Sequence, residues 1–353
     1  MIQVRIAKAF APGKDSVGFN LDVEFAAGPG VTVLFGNSGS GKTLTADSIA
    51  GLATPDTGRI LINDRLLFDA AAQVNLPARM RRCGYVFQNY ALFPHMTVRE
   101  NLAFAANSLP RLEKHRRINE LLERFRLGDL AGRHPGELSG GQQQRGSIAR
   151  ALIAQPEALL LDEPARGLDQ QLRTELYAAI EEVRALKIPV LLVTHGVEEL
   201  FALAENVLVY NAGRIVRQAK PLELLRNPGS EAVAQLLGDF VLLNTEVIAL
   251  DPGRQTSRLR VLSEELEGPY LQGCFKGDRI RVCPRPEELR IHAKPGPNRI
   301  RIALRRVIER PQGIRAEFED GVIVDLTHEA WRDLSNSTAF WVEFPAASLR
   351  KLA

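Results

Sequence analysis

Gly36-Asn37-Ser38-Gly39-Ser40-Gly41-Lys42-Thr43 lies between the apolar run Val31-Thr32-Val33-Leu34-Phe35 and the helix-compatible run Leu44 to Ala50. The pattern G-x-x-x-x-G-K-[ST], set between a strand and a helix, is that of a phosphate-binding loop. Its glycines let the backbone wind tightly, so that its amides and the helix N-terminus point at the phosphates of a nucleotide. Lys42 is expected to neutralise the β- and γ-phosphates, and Thr43 to place its hydroxyl on Mg²⁺. A glycine-rich turn alone would explain the glycines but not Lys-Thr at that offset.

Working outward, Gly84-Tyr85-Val86-Phe87, Ala158-Leu159-Leu160-Leu161 and Val190-Leu191-Leu192-Val193 are also apolar on both faces. Alternating with longer helical stretches, they predict an α/β P-loop NTPase domain over residues 1–238, a parallel sheet covered by helices. Chemistry is expected just beyond the carboxyl ends of such strands. There the third run continues into Asp162-Glu163. Asp162 is read as a Mg²⁺ ligand and Glu163 as the group that orients and polarises an attacking water, since two roles need two carboxylates. Ser139-Gly140-Gly141-Gln142 opens a helix-compatible run through Leu152 and reads as a second anion-binding helix N-terminus. One nucleotide has no use for two such cradles from one chain, so the second implies a site completed across a subunit interface.

Length and composition agree. At 353 residues the chain has room for at least two domains, and 45% hydrophobic with 25% charged residues is ordinary for a globular protein. A net charge of +3 leaves no electrostatic footprint for nucleic acid, which is not expected as a partner. Cys83, Cys274 and Cys283 have no C-x-x-C spacing, which argues against a zinc knuckle or a disulfide framework and for a reducing compartment. Met1 to Phe10 alternates apolar and polar residues rather than reading as a signal peptide, and the apolar runs are far below the ~20 residues of a membrane span.

Beyond Leu237-Gly238 the texture changes to short β-type runs, among them Thr245 to Leu250, Arg279 to Val282 and Val322 to Leu326. Asp251-Pro252-Gly253, Lys276-Gly277-Asp278, Pro295-Gly296-Pro297 and Asp320-Gly321 separate them as turns. Residues 239–353 are therefore expected to form a small all-β domain, an OB-like barrel or sandwich.

In the order and spacing of these segments, the first ~235 residues resemble the ATP-binding subunits of ABC transporters. The resemblance implies ATP and Mg²⁺ as cofactors and three further site residues. Gln88, after Gly84-Tyr85-Val86-Phe87, matches the glutamine that touches Mg²⁺ and water and senses the membrane partner. His195, in Val193-Thr194-His195, matches the switch histidine at the γ-phosphate, and Asp169 matches the aspartate that crosses the dimer interface. In Ala165-Arg166-Gly167-Leu168-Asp169, Arg166-Gly167 replaces the small pair the family commonly has. The family also stacks adenine on an aromatic upstream of the phosphate loop. Phe10 and Phe19 are the candidates, with Phe10 preferred, although it reads equally as a core aromatic of a first β-hairpin.

Leu92 to Asn101 resembles importers of oxyanions, iron, sugars and polyamines that carry a C-terminal β extension, and Arg285-Pro286-Glu287 fits that group. Length and the short spacer before Ser139 look most like the molybdate and tungstate importer subunit, with a TOBE- or MOP-like extension. Where that family's module has a Ser-Arg-Asn-type run, this chain reads Asn298-Arg299-Ile300-Arg301-Ile302. Arg299, Arg301, Arg305 and Arg306 offer charge-assisted bonds to a tetrahedral oxyanion, or simply one solvated face of a strand.

The implied partners are integral membrane permease subunits, indirectly an extracytoplasmic solute-binding protein, and a second copy of the chain with ATP at the interface, at the cytoplasmic face of the inner membrane. Two other classes fit worse. A DNA-repair ATPase needs a coiled-coil insertion for which the about 95 residues between phosphate loop and Ser139 leave no room. A nucleotide switch without turnover would be expected to lack Glu163 or His195.

Overall fold

The computed structural model describes residues 1–12, 18–107, 109–238, 240–335, 337 and 339–352. By internal contacts the chain divides into Met1–Leu222 and Glu223–Ala353.

In the first unit, β1 (Ile2–Phe10) and β2 (Phe19–Ala27) form an antiparallel hairpin. Alternate β2 residues Leu21, Val23, Phe25 and Ala27 are buried, because one face of such a ribbon packs while the other meets water. β3 (Gly30–Phe35) leads through the glycine-rich loop into α1 (Lys42–Ala50). Three strands, β4 (Thr57–Ile62), β5 (Arg65–Asp69) and β6 (Val74–Asn75), extend the hairpin, β4 pairing with β1. After β7 (Cys83–Val86) come α2 (Val98–Ala105), α3 (Arg111–Arg124) and α4 (Gly140–Ile153). β8 (Ala158–Asp162), α5 (Gln170–Arg184), β9 (Pro189–Thr194), α6 (Val197–Leu203), β10 (Asn206–Asn211) and β11 (Arg214–Ala219) complete the unit.

All eleven strands belong to one sheet, ordered β6-β5-β4-β1-β2-β11-β10-β3-β9-β8-β7. β7, β8, β9, β3 and β10 run parallel, and these include the doubly apolar runs of the sequence. The sheet is nonetheless mixed rather than parallel throughout. The added strands pair antiparallel except where β11 meets β2, and antiparallel ladders tolerate one wet face. Register sets the parallel strand ends side by side: Phe35 lies opposite Thr194, Val193 opposite Asp162, and Leu161 opposite Val86. The residues that follow these strands therefore emerge along one edge of the sheet.

The C-terminal end of α1 is held by a residue with no sequence motif around it. Arg81 is fully buried and donates from Nη1 to the Ser48 and Ile49 carbonyls (2.6 and 3.0 Å), from Nε to the Leu76 carbonyl (2.7 Å) and from Nη2 to Asn75 Oδ1 (2.7 Å). A cation at the negative end of a helix dipole, bonded to otherwise orphan carbonyls, fixes the helix that begins at the phosphate loop. Arg81→Met is expected to lower stability by about 2–3 kcal/mol, because the buried acceptors lose their donors together. Urea unfolding with an unchanged midpoint would refute this.

In the second unit, α8 (Glu231–Leu237) follows α7 (Pro221–Arg226), which spans the division. The division lies upstream of residue 238 because α8 packs with the second unit: Ala234 is buried with Cys283 and Leu352, and Glu231 pairs with Arg281. β12 (Leu243–Asp251), β13 (Thr256–Val261), β14 (Glu264–Pro269) and β15 (Arg279–Val282) form a sheet ordered β14-β13-β12-β15. β16 (Arg290–His292), β17 (Arg299–Arg301) and β21 (Trp341–Glu343) form a second, and β18 (Leu304–Arg310), β19 (Gly313–Phe318) and β20 (Ile323–Leu326) a third, with α9 (His328–Leu334) after β20. All pairings are antiparallel, and the three sheets share one core that includes Val247, Leu259, Phe318, Val324 and Phe344.

Candidate functional site

Two glycines make the loop after β3 possible. Gly36 has φ 155°, and a Cβ there would stand 2.4 Å from the Tyr210 carbonyl oxygen; Gly41 has φ 104°, and a Cβ would stand 2.6 Å from Leu21 Cδ1. Any larger residue would collide with β10 or β2. α1 then starts at Gly41 with no side-chain cap, whereas Thr97, Ser139 and Asp169 cap α2, α4 and α5. Its first amides remain available to an anion, and the positive end of the helix dipole favours one.

Lys42, only 4% exposed, donates to the Gly36 carbonyl (2.8 Å), the Asn37 carbonyl (2.7 Å) and Ser40 Oγ (3.3 Å). Burial pulls its pKa down, while the charges of Glu163 and Asp162 work to raise it. Asn37, Ser38 and Gly39 are exposed. The exposed Asn37-Ser38-Gly39 segment thus forms the outer side of the loop, with the buried ammonium bonded to the Gly36 and Asn37 carbonyls.

Asp162 ends β8 next to this loop, and Thr43 Oγ1 donates to its Oδ1 at 3.0 Å. Burial is the largest influence on Asp162 and, with the charges of Asp47 and Glu163, raises its pKa against the lowering by Thr43 and Lys42. A proton therefore competes for this carboxylate at higher pH than at a solvated aspartate.

Glu163, one residue on, has φ 45°, in the left-handed region, and its amide bonds the Val193 carbonyl of β9 at 2.9 Å. That turn sends its side chain to His195, whose Nδ1 lies 3.1 Å from Glu163 Oε1. Thr194 fixes the start of the His195 loop, accepting from the Gly196 amide at 2.9 Å and donating to the buried Glu199 carboxylate. Gln88 follows β7, and with its amide oxygen turned to Arg166 it accepts from Nη1 (2.7 Å) and Nε (3.1 Å).

The structure thus brings Gly36 to Thr43, Gln88, Asp162, Glu163 and His195 to one sheet edge. Ser139, Gly140, Gly141 and Gln142 stand apart: among the described residues, no hydrogen bond or ion pair joins them to the phosphate loop. Ser139 Oγ accepts from the Gln142 amide (3.3 Å), and Gln142 Oε1 from the Ser139 amide (3.0 Å), a closed capping box. Asp169 caps α5 by accepting from the Leu172 amide at 2.9 Å. Sequence reasoning missed Thr194 and Glu199, which bond each other five residues apart without a motif, and Arg81, whose bonds to Ser48 and Ile49 are remote along the chain.

Phe10, 45% exposed, lies 6.4 Å from Phe19 between ring centroids, directly opposite it in the hairpin. Phe19 Cζ would lie 3.2 Å from a Cβ at Gly41, so Phe19 buttresses the phosphate loop. In the second unit Arg299 Nε lies 3.5 Å from Glu343 Oε2, and the Arg301 guanidinium sits 5.8 Å from the Trp341 ring centroid. Arg305 and Arg306 are exposed on β18. Among the described residues, no helix is long and apolar enough to cross a membrane.

Comparison with known proteins agrees with this geometry. Residues 20–166 match the family described as ABC transporter. The molybdenum import ATP-binding protein ModC of Paramagnetospirillum magneticum is 38% identical over 68% of this chain and 67% of its own length. ModC of Rhodospirillum rubrum is 43% identical over 59% and 56%, and the spermidine/putrescine import ATP-binding protein PotA of Vibrio cholerae 39% identical over 81% and 74%. A dimeric ATP-binding cassette solved in a post-hydrolysis state with ADP and Pi superposes with a TM-score of 0.53 at 27% identity, covering 63% of this chain and 99% of that one. A glycine-rich loop ending in Lys-Thr, an acidic strand end and a histidine on one sheet edge, in a chain so similar to these import proteins, lead to one conclusion: the chain belongs to the ABC transporter ATP-binding subunits.

Proposed function

We propose that this ATPase powers an importer whose solute is molybdate or tungstate. The observation that carries the ATPase mechanism is the pair of contacts flanking the loop, Thr43 to Asp162 at 3.0 Å and Glu163 to His195 at 3.1 Å. A hydroxyl and a carboxylate oxygen beside a phosphate cradle suit Mg²⁺, which takes oxygen ligands from few side chains and several from phosphate and water. Thr43 and Asp162 would hold the ion, with Gln88 completing its surroundings, and the bound ion would neutralise charge on the β- and γ-phosphates.

The chain's own groups supply the rest. Lys42 exchanges the Gly36 and Asn37 carbonyls for phosphate oxygens. Glu163 accepts a hydrogen bond from the attacking water and orients it, and His195 holds the Glu163 carboxylate in place and faces the γ-phosphate. The Ser139 hydroxyl uses an acceptor lone pair for its cap, which leaves its O–H free to donate to a phosphate on a second copy of the chain. Asp169 lies in the same interface. Two copies closing head to tail around ATP, then reopening after hydrolysis, would drive permease subunits at the cytoplasmic face of the membrane, with an extracytoplasmic binding protein delivering solute. The ATP-binding part is read as residues 1–238 and the β extension as 239–353, with α8 packing against the extension and residue 239 lying outside the described residues.

The solute reading rests on the molybdenum import relatives. A polyamine solute is the second reading, favoured because the spermidine/putrescine import relative aligns over more of this chain, 81% against 68% and 59%. The chain reconstituted in vesicles with its permease and binding protein is expected to raise its ATP turnover severalfold with molybdate or tungstate and not with spermidine. The opposite pattern would establish the polyamine reading, and turnover indifferent to both would refute the two together.

A further inference from the structure

Arg166 lies in the turn that follows β8 and Glu163, and it reaches back into the site. Its Nη1 lies 3.1 Å from Glu163 Oε2, on the carboxylate oxygen that His195 does not contact. The same guanidinium reaches the Gln88 amide oxygen through Nη1 at 2.7 Å and Nε at 3.1 Å. The backbone builds this reach: the Arg166 amide bonds the Glu163 carbonyl at 3.2 Å, the Leu168 amide bonds the Ala165 carbonyl at 3.2 Å, and Gly167 at φ 74° turns the chain away afterwards. A cleft of about 360 Å³ opens beside it, lined by Glu163, Arg166, His195 and Glu199.

We infer that Arg166 is a positioning residue that latches Gln88 to Glu163 and restrains hydrolysis until the latch opens. Both Glu163 carboxylate oxygens are engaged in this arrangement, one by His195 and one by Arg166, so an attacking water must share an oxygen whose direction one of them already sets. Gln88, held by two donors of a planar fork, is kept from the Mg²⁺ position beside Thr43 and Asp162. Movement of Gln88 would therefore be felt at Glu163 through one side chain. This rests on the reading of Glu163 as the group that orients water.

The test is steady-state ATP hydrolysis by the full-length chain at saturating Mg²⁺-ATP. Arg166→Ala is expected to raise kcat about two- to fivefold, the reach of a half-exposed ion pair, with KM for ATP unchanged. Arg166→Lys keeps a charge but not the fork, so it should give part of the gain. In a Gln88→Ala background the gain should shrink, because the latch has already lost one anchor. An unchanged or lowered kcat for Arg166→Ala, or a rise in KM without a change in kcat, would overturn the latch. Glu163→Gln measured alongside separates the two readings: if it retains the parent rate, the assignment of Glu163 fails, whereas an inactive Glu163→Gln beside an unaltered Arg166→Ala sinks only the latch.

Discussion

Glu163→Gln is expected to bind ATP as the parent does and to hydrolyse it about 10²–10⁴-fold more slowly, the usual worth of a positioned general base. The amide is isosteric, so the left-handed turn at Glu163 and the bond from its backbone amide to Val193 survive. What is lost is the charge and the ability to take a proton, and one of the two oxygens facing Arg166 and His195 becomes a donor. If the ATP-bound dimer is reopened by hydrolysis, this variant should accumulate as a dimer with ATP and Mg²⁺ and return to monomer when ATP is washed out. Phosphate release and size-exclusion chromatography read the two consequences separately. Parent-like turnover would show that another group orients the water, and loss of ATP binding would show that the substitution had damaged the loop.

Lys42→Ala and Ser139→Arg should fail at different steps. Lys42 is buried beneath the loop and bonds two of its carbonyls, so its removal takes away both the cation and an internal tie. ATP binding by the monomer is expected to weaken about ten- to a hundredfold, the worth of one or two charge-assisted bonds. Ser139→Arg should leave monomer binding intact and abolish ATP-driven dimerisation, because bulk and charge enter the interface. It also removes the α4 cap, worth about 1 kcal/mol, so Ser139→Asp is the companion variant: it keeps the cap but sets a negative charge against phosphate. Titration with a fluorescent ATP analogue and light scattering distinguish the cases. Equal loss of monomer binding in Lys42→Ala and Ser139→Arg would rule out a site shared between two copies.

Much of this site can be read along the chain because its chemistry is local in sequence. A phosphate loop needs glycines and Lys-Thr at fixed offsets, and an acidic pair after an apolar run needs only the knowledge that buried strands end at a functional edge. Ser139 to Gln142 read in sequence as a helix start, and the structure adds the capping box that closes it. His195 and Gln88 gained their meaning from a resemblance, since a lone histidine or glutamine after a strand carries no spacing of its own.

The sequence by itself thus determined the phosphate loop, the acidic strand end, the helix starts and the change to β structure past residue 238, all set by periodicity and short-range geometry. Tertiary structure alone decided that six further strands would join the sheet, that Arg81 would bond the carbonyls of Ser48 and Ile49 from 32 or more residues away, and that Arg166 would lie between Gln88 and Glu163. It also committed Arg299 to Glu343 and set Arg301 against Trp341, where sequence shows only a basic run. The reason is the same in each case. Strand partners and long side-chain contacts are chosen by which distant surfaces bury together, and that choice leaves no local period or motif in the chain that makes it.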